Sequence, residues 1–387
     1  MQSALTGTAP GPDGPPATGL AASRLIRRED MVSCEMAFVD CKLPGSTPKG
    51  NYSIIGAGVT QSADQVINIS EPHGFAIGVA EMPYGITNNL HIHYTAEVFM
   101  IFRGEWLFRW GNNGDDGELI GRAGDVISIP TWIFRGFTNI GSDDGWIFTA
   151  LGRDESGGVI WHPGILRAAA ETGVYLTRDN MLVDIADGVP PPADAERMTP
   201  LTDAFIATLR RYTIDDLRAR TTSAEDRHWS AGGLLDAGLP GHASELAPVI
   251  GHGMTQDRHA APKVTNPHGF SIEWLRIPPG NQVGPFRTGP KQVLILQEGR
   301  LEIMLGDGSV ATLEPWGLFA MPGGVWRTLR SVGDVPALMT VTTAGDARAL
   351  IEWDPAIVAA ALTAGTGVDP NDYLCPADLL PVFAAAA

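Results

Sequence analysis

The fold class predicted by the sequence is all-β: two tandem small β-barrels joined by a partly helical connector. Three observations lead there. They are a long internal repeat, short alternating runs broken by turn residues, and a change to helical periodicity between the two copies.

Self-similarity at a fixed offset decides domain organisation before any local pattern is read. Ile54-Ile55-Gly56-Ala57-Gly58-Val59-Thr60-Gln61 matches Val249-Ile250-Gly251-His252-Gly253-Met254-Thr255-Gln256, an offset of 195 (251 − 56). Pro72-His73-Gly74-Phe75 matches Pro267-His268-Gly269-Phe270 at the same offset, as do Gly85 with Gly280 and Gly104 with Gly299. From Pro130, which matches Pro322, the offset is 192 (322 − 130), carrying Arg135 to Arg327, Trp161 to Trp353 and Pro163 to Pro355. The deletion is expected in the turn Gly111 to Gly117, opposite Gly306-Asp307-Gly308, because hairpin turns tolerate changes of length. With 387 residues, each copy can bury its own core.

Within each copy, runs such as Phe75 to Ala80, Val98 to Phe102 and Val293 to Leu296 are bounded by Gly, Pro, Asn and Asp, the spacing of an all-β barrel or sandwich. Between the copies, Ile165 to Ala170, Asp203 to Tyr212 and a turn capped by Thr213 through Asp216 read as helices. Gly188-Val189-Pro190-Pro191-Pro192 separates them. Each copy closes on a short helix, the second over Pro355 to Leu362. The expected organisation is a disordered tail over 1–23, a barrel over 24–160, the connector over 161–245, a second barrel over 246–352, and a helix with tail over 353–387.

Composition excludes several classes. No apolar run reaches the roughly 20 residues of a membrane helix, and the Gly/Pro-rich start lacks the basic-then-apolar order of a secretory signal. A net charge of −17 argues against nucleic-acid binding, which needs a basic surface, but leaves room for a small anionic substrate in a locally positive pocket. Cys34, Cys41 and Cys375 form no paired motif and fit reduced thiols, so a cytoplasmic location is expected.

The chemistry concentrates between Gly85 and Gly104. Residues two apart on a strand share a face, so His91 and His93 project together, and Glu97 joins them if the pairing continues. Two imidazoles and a carboxylate with open positions suit iron(II), while manganese, zinc, nickel and copper also use such ligands.

Gly85, His91, His93, Glu97 and Gly104 have the spacing of the first signature motif of the cupin superfamily, which this stretch resembles at every position. Gly124-Asp125, Pro130, Trp132, Arg135 and Asn139 resemble the second motif, with one departure. The family usually places a fourth ligand, histidine, where Arg135 stands, and a guanidinium cannot ligate a cation. The resemblance implies that each barrel is a jelly-roll-like, double-stranded β-helix, and that one divalent metal per chain sits on His91, His93 and Glu97, with Fe(II) favoured. In the second copy the corresponding residues are Phe286, Thr288 and Gln292, so that barrel is expected to be structural. Arg135 is a candidate catalytic residue through carboxylate recognition. Because Arg327 repeats it beside no ligand set, a shared structural ion pair is the other reading.

His162 aligns with Asp354, each before a proline, and reads as a helix cap. His73 and His268 read as parts of a repeated turn. His228, His242, His252 and His259 carry no spacing signal. Phe99, Trp106, Trp132 and Phe134 are core residues by default, and candidates to line a pocket for a planar substrate if the barrel is open at one end.

Two-barrel cupins with one metal site resemble the gentisate dioxygenase group, and Pro130-Thr131-Trp132-Ile133-Phe134-Arg135 looks like that group's proline–tryptophan–aromatic–histidine segment with the histidine changed. The resemblance implies a metal-dependent dioxygenase cleaving a carbon–carbon bond of a small oxygenated aromatic or dicarbonyl compound. A non-redox lyase, isomerase or hydrolase, or a non-catalytic small-molecule-binding protein, are the alternatives. Two-barrel relatives are commonly oligomeric, so a homodimer or larger homo-oligomer is expected.

Overall fold

A computed structural model describes residues 17–185 and 190–380. Residues 1–16 of the expected tail, Gly188 and Val189 of the proline-rich segment, and 381–387 lie outside the described residues. No helix among the described residues is long and apolar enough to cross a membrane.

Two barrels are present, each built from two facing sheets, antiparallel but for the parallel pairing of Gly50–Ile55 with the edge strand Ile67–Ile69. In the first, one sheet runs Val159–Trp161, Thr87–His93, Arg135–Asn139, Glu105–Trp110, Gly117–Arg122. Its partner runs Thr221–Thr222, Val126–Ile129, Glu97–Arg103, Gly145–Gly152, Phe75–Met82, Gly50–Ile55, Ile67–Ile69. The second barrel repeats this order, for example Gln292–Glu298 between Leu318–Met321 and Ala337–Ala344. The three-residue deletion falls where expected: Trp110 pairs with Gly117, whereas Leu305 N already donates to Ser309 O at 2.9 Å.

The run Val98-Phe99-Met100-Ile101-Phe102 is apolar throughout because both faces of its strand are buried. Phe99 and Ile101 enter the barrel interior, while Val98, Met100 and Phe102 pack against Trp274, Val293 and Ile295 of the second barrel. The outer faces of the two barrels thus form one shared core.

The copies are longer than the expected domain limits. Gln61 Oε1 accepts from Val39 N at 3.0 Å and Trp161 Nε1 at 3.1 Å, and Gln256 Oε1 accepts from Leu235 N and Trp353 Nε1 at the same distances. The helix Pro163–Glu171 leads into a hairpin, Val174–Leu176 with Leu182–Asp184, and Pro355–Thr363 leads into its counterpart, Thr366–Val368 with Leu374–Pro376. Both hairpins therefore belong to the repeat and not to the connector.

The leading segments of the copies cross over. Leu25–Ile26 pairs with Phe319 and Leu318 of the second barrel, and Thr221–Thr222 pairs with Ile127 and Val126 of the first. This corrects the expected tail over 1–23 within its described part: Gly19–Ala22 is a helical turn with Ala21 buried, and Thr18 N donates to Val310 O at 3.1 Å. The helix expected over Asp203 to Tyr212 is also shorter, ending at Ile206. Ile206 and Leu209 pack with Ile92 and Phe134, whereas Tyr212 and Ile214 pack with the interior cluster around Trp110. One straight helix cannot reach both places. Thr213 does cap the next helix, Ile214–Arg218.

Candidate metal centre

His91 and His93 end one strand and Glu97 opens the next, in the facing sheet. The intervening turn folds the carboxylate back over the histidines, so that a ligand atom of each lies within 4.8 Å of the others. All three side chains are buried.

The imidazoles are oriented by the backbone. His91 Nδ1 lies 2.6 Å from Asn89 O and His93 Nδ1 lies 3.3 Å from Gly158 O. A carbonyl only accepts, so each Nδ1 donates and each Nε2 is left with its lone pair, the arrangement metal-binding histidines use. His93 Nε2 stands 3.5 Å from Glu97 Oε1. Burial, and then the Arg135 charge, hold His91 well below its ordinary pKa, which keeps it neutral and ready to ligate. Two Nε2 atoms and one carboxylate oxygen thus fit a divalent ion.

Arg135 occupies the fourth-ligand position of the family pattern, directly across from His91 in the sheet. It is fully buried. Its Nη2 and Nε donate to Glu97 Oε2 at 2.6 and 3.2 Å, and Nη1 donates to His91 O at 3.2 Å. Burial pushes the Glu97 carboxyl up to about 8 and pulls the guanidinium down. The contact between them works the other way, because a guanidinium stays protonated and its charge-assisted bonds favour the carboxylate. Arg135 therefore takes one Glu97 oxygen and leaves Oε1 to the histidine side.

A small cavity opens beside the three candidate ligands, lined among others by Lys49, Asn51, Asn88, Phe137, Thr149 and Trp161. Lys49 is the residue the sequence reading missed. It is only 4% exposed, is ion-paired with the fully buried Asp40, and donates to Asn88 Oδ1 at 2.9 Å. Burial lowers its pKa and Asp40 counters that. In the second copy Asp236 stands where Asp40 does and pairs with His242 at 3.1 Å. The repeated aspartate was the available signal.

None of the four aromatic residues expected around the pocket lines this cavity. Phe99 and Trp106 do face the barrel interior, but they fill its closed end, with Phe99 5.0 Å from Phe108 and 5.1 Å from Phe137. Phe134 points outward onto Ile92 and Ile160, since its neighbour Arg135 takes the inward face. Trp132 is 36% exposed and held at φ 58, packing edge-on to Tyr94. The other histidines behave as expected. His162 Nδ1 accepts from Gly164 N at 3.1 Å as a cap, and His73 and His268 bond the carbonyls of Glu71 and Asn266 at 2.6 and 2.7 Å in matching turns.

In the second barrel, Arg327 Nη2 donates to Thr288 Oγ1 at 2.7 Å and to Gln292 Oε1. These are the positions of His93 and Glu97. Its guanidinium carbon lies 4.4 Å from the centre of the Phe286 ring, which replaces His91. The guanidinium binds the residues that stand in for the ligands, and among the described residues the His91, His93 and Glu97 group is the one able to hold a metal.

No protein-family model matches the chain, and no curated protein matches it in sequence. Solved structures match it in fold. The Lactobacillus farciminis oxalate decarboxylase, in a formate complex, aligns at TM-score 0.54 and 11% identity over 89% of this chain and 92% of that one. The 7S globulin of Momordica charantia aligns at TM-score 0.51 and 10% identity over 86% of both chains. The Bacillus subtilis oxalate decarboxylase studied for its Mn(II) centres aligns at TM-score 0.50 and 11% identity over 87% of this chain and 81% of that one. Such identities speak for the fold alone: the two-barrel architecture of these proteins is the one this chain adopts.

Proposed function

We propose that the first barrel is a metal-dependent catalytic domain that cleaves a carbon–carbon bond in a small oxygenated compound. The observation that carries this reading is the convergence of two Nε2 lone pairs and Glu97 Oε1 at the wall of a cavity. A bound divalent ion would supply a Lewis acid and open coordination positions there. The chain's own part is to aim the imidazoles through Asn89 O and Gly158 O, to hold Glu97 through Arg135, and to keep the site dry behind Phe137 and Trp161.

Cleavage with dioxygen on iron(II) is the reaction supported by the local sequence resemblance to gentisate dioxygenases. Non-oxidative cleavage on manganese, a lyase reaction, is supported by two observations. Oxalate decarboxylases share the fold, one of them studied for its Mn(II) centres, and the cavity wall carries the polar groups of Lys49 and Asn88 beside its aromatic rings. Fold alone does not choose between them.

The test is purified protein loaded separately with Fe(II) and Mn(II) and presented with hydroxybenzoates, diketones and short 2-oxo acids. Oxygen consumption matched to substrate loss identifies the dioxygenase. Carbon dioxide release without oxygen consumption identifies the lyase. Binding of a compound with no turnover under either metal leaves a small-molecule-binding protein.

A further inference from the structure

The charges around the cavity are already matched before any metal enters. Glu97 is neutralised by Arg135 and Lys49 by Asp40, and His91 and His93 must be neutral to ligate. A divalent ion on His91, His93 and Glu97 would therefore bring two positive charges that no side chain lining the cavity offsets. Inside a buried site that excess is costly unless an anion enters with it. The wall also offers donors. An ammonium has three N–H groups; Asp40 and Asn88 take two of those on Lys49, and the third is left for the cavity. The Asn88 side-chain amide has its oxygen on Lys49, while its Nδ2 makes no hydrogen bond among the described residues. Ser244 stands at the Lys49 position in the second barrel, where the metal ligands are also missing.

We propose that the cavity takes a small carboxylate on Lys49 Nζ and Asn88 Nδ2, and that carboxylate and metal bind cooperatively, each needing the other's charge. This rests on the metal-centre reading given above and adds the substrate class to it. Lys49 is then a specificity-determining residue, separating carboxylates from neutral molecules of the same shape.

Mn(II) affinity is measured by equilibrium dialysis of the full chain at constant chloride, with pyruvate or with its neutral analogue pyruvamide as the probe. Pyruvate should tighten Mn(II) binding about tenfold or more, within the usual range of coupling between sites, and pyruvamide should not. Lys49→Met should remove that enhancement. Because this variant strands the Asp40 charge, Asp40→Asn/Lys49→Met, which removes both charges together, should be measured beside it and give the same loss. Mn(II) bound equally well with either probe, or an enhancement retained in the double variant, overturns the proposal while leaving the metal centre standing. Mn(II) bound under no condition overturns both.

Discussion

Position for position, the two barrels bury the same backbone and differ in the atoms that fill one spot. In the first, His91, His93 and Glu97 surround a place a cation can take, and Arg135 stands beside it on Glu97. In the second, Phe286, Thr288 and Gln292 surround the Arg327 guanidinium itself. Around that spot Leu275, Leu294, Met321 and Met339 form a continuous core, with the Glu273 carboxyl buried beside it and accepting from Met254 N at 2.9 Å. A buried strand residue that faces a barrel interior needs a partner for its polar atoms. At this one spot the second barrel satisfies that need through Arg327, whereas the first leaves two imidazole nitrogens and one carboxylate oxygen directed at a cavity. A buried arginine bonded to the neighbouring side chains is thus common to both copies, and the histidines are particular to the first.

The largest expected difference is in metal content. Elemental analysis should find about one divalent ion per chain, lost on His91→Ala and unchanged on Phe286→Ala. Two ions per chain would mean that the second barrel holds a site after all.

Next comes the energetic role of the arginines. Arg135→Met leaves the Glu97 carboxylate buried and unpaired, at a cost of about 3–5 kcal/mol, read as a fall in thermal or denaturant stability. Saturating Mn(II) should restore much of it, because the ion takes over the charge partner's role. Arg327→Met leaves neutral Thr288 and Gln292 groups unpaired, costing about 1–3 kcal/mol, and Mn(II) should restore none of it. Equal losses with no metal rescue would show that Arg135 matters only as packing.

The smallest effect concerns the contact between the barrels, where Glu71 of the first meets Arg24 and Lys291. Hydrogen bonds from Lys291 and Arg24 bring its carboxyl down to about 2 from an ordinary 4.5. A depressed carboxylate stabilises the fold above its unfolded pKa, and that contribution fades as pH falls from about 4.5 towards 2. Glu71 is 40% exposed, so solvent screening limits the gain to less than about 1 kcal/mol. The stability gap between wild type and Glu71→Gln should be present at neutral pH and close on acidification through that window. A gap that stays constant with pH would remove the ion pairs as its cause.

The clustering of His91, His93 and Glu97 could be read from the sequence because they lie within one strand, a turn and the start of the next strand. Alternation and spacing fix them locally. The repeat added the contrast with Phe286, Thr288 and Gln292. Lys49 was hidden because its place depends on Asp40, itself held by Asn89 from another strand, a tertiary arrangement with no local period. Phe99 and Trp106 were given the right face and the wrong depth, since alternation tells inside from outside and not one end of a barrel from the other. Phe134 could have been excluded, because the alternation that sends Arg135 inward sends its neighbour outward. The crossing segments are two-residue strands, too short to show any periodicity.

That crossing has a consequence for what counts as a unit in this protein. Each barrel's sheet is completed by the leading segment of the other copy, so a single copy would carry one unfilled sheet edge and one idle arm. Two such copies satisfy each other through a reciprocal handclasp, which is the closure of a two-fold dimer. The duplicated chain preserves that handclasp with a peptide link between the partners. Neither sheet is complete without the other copy, so the barrel without the His91, His93 and Glu97 group still supplies an edge strand to the barrel that carries it.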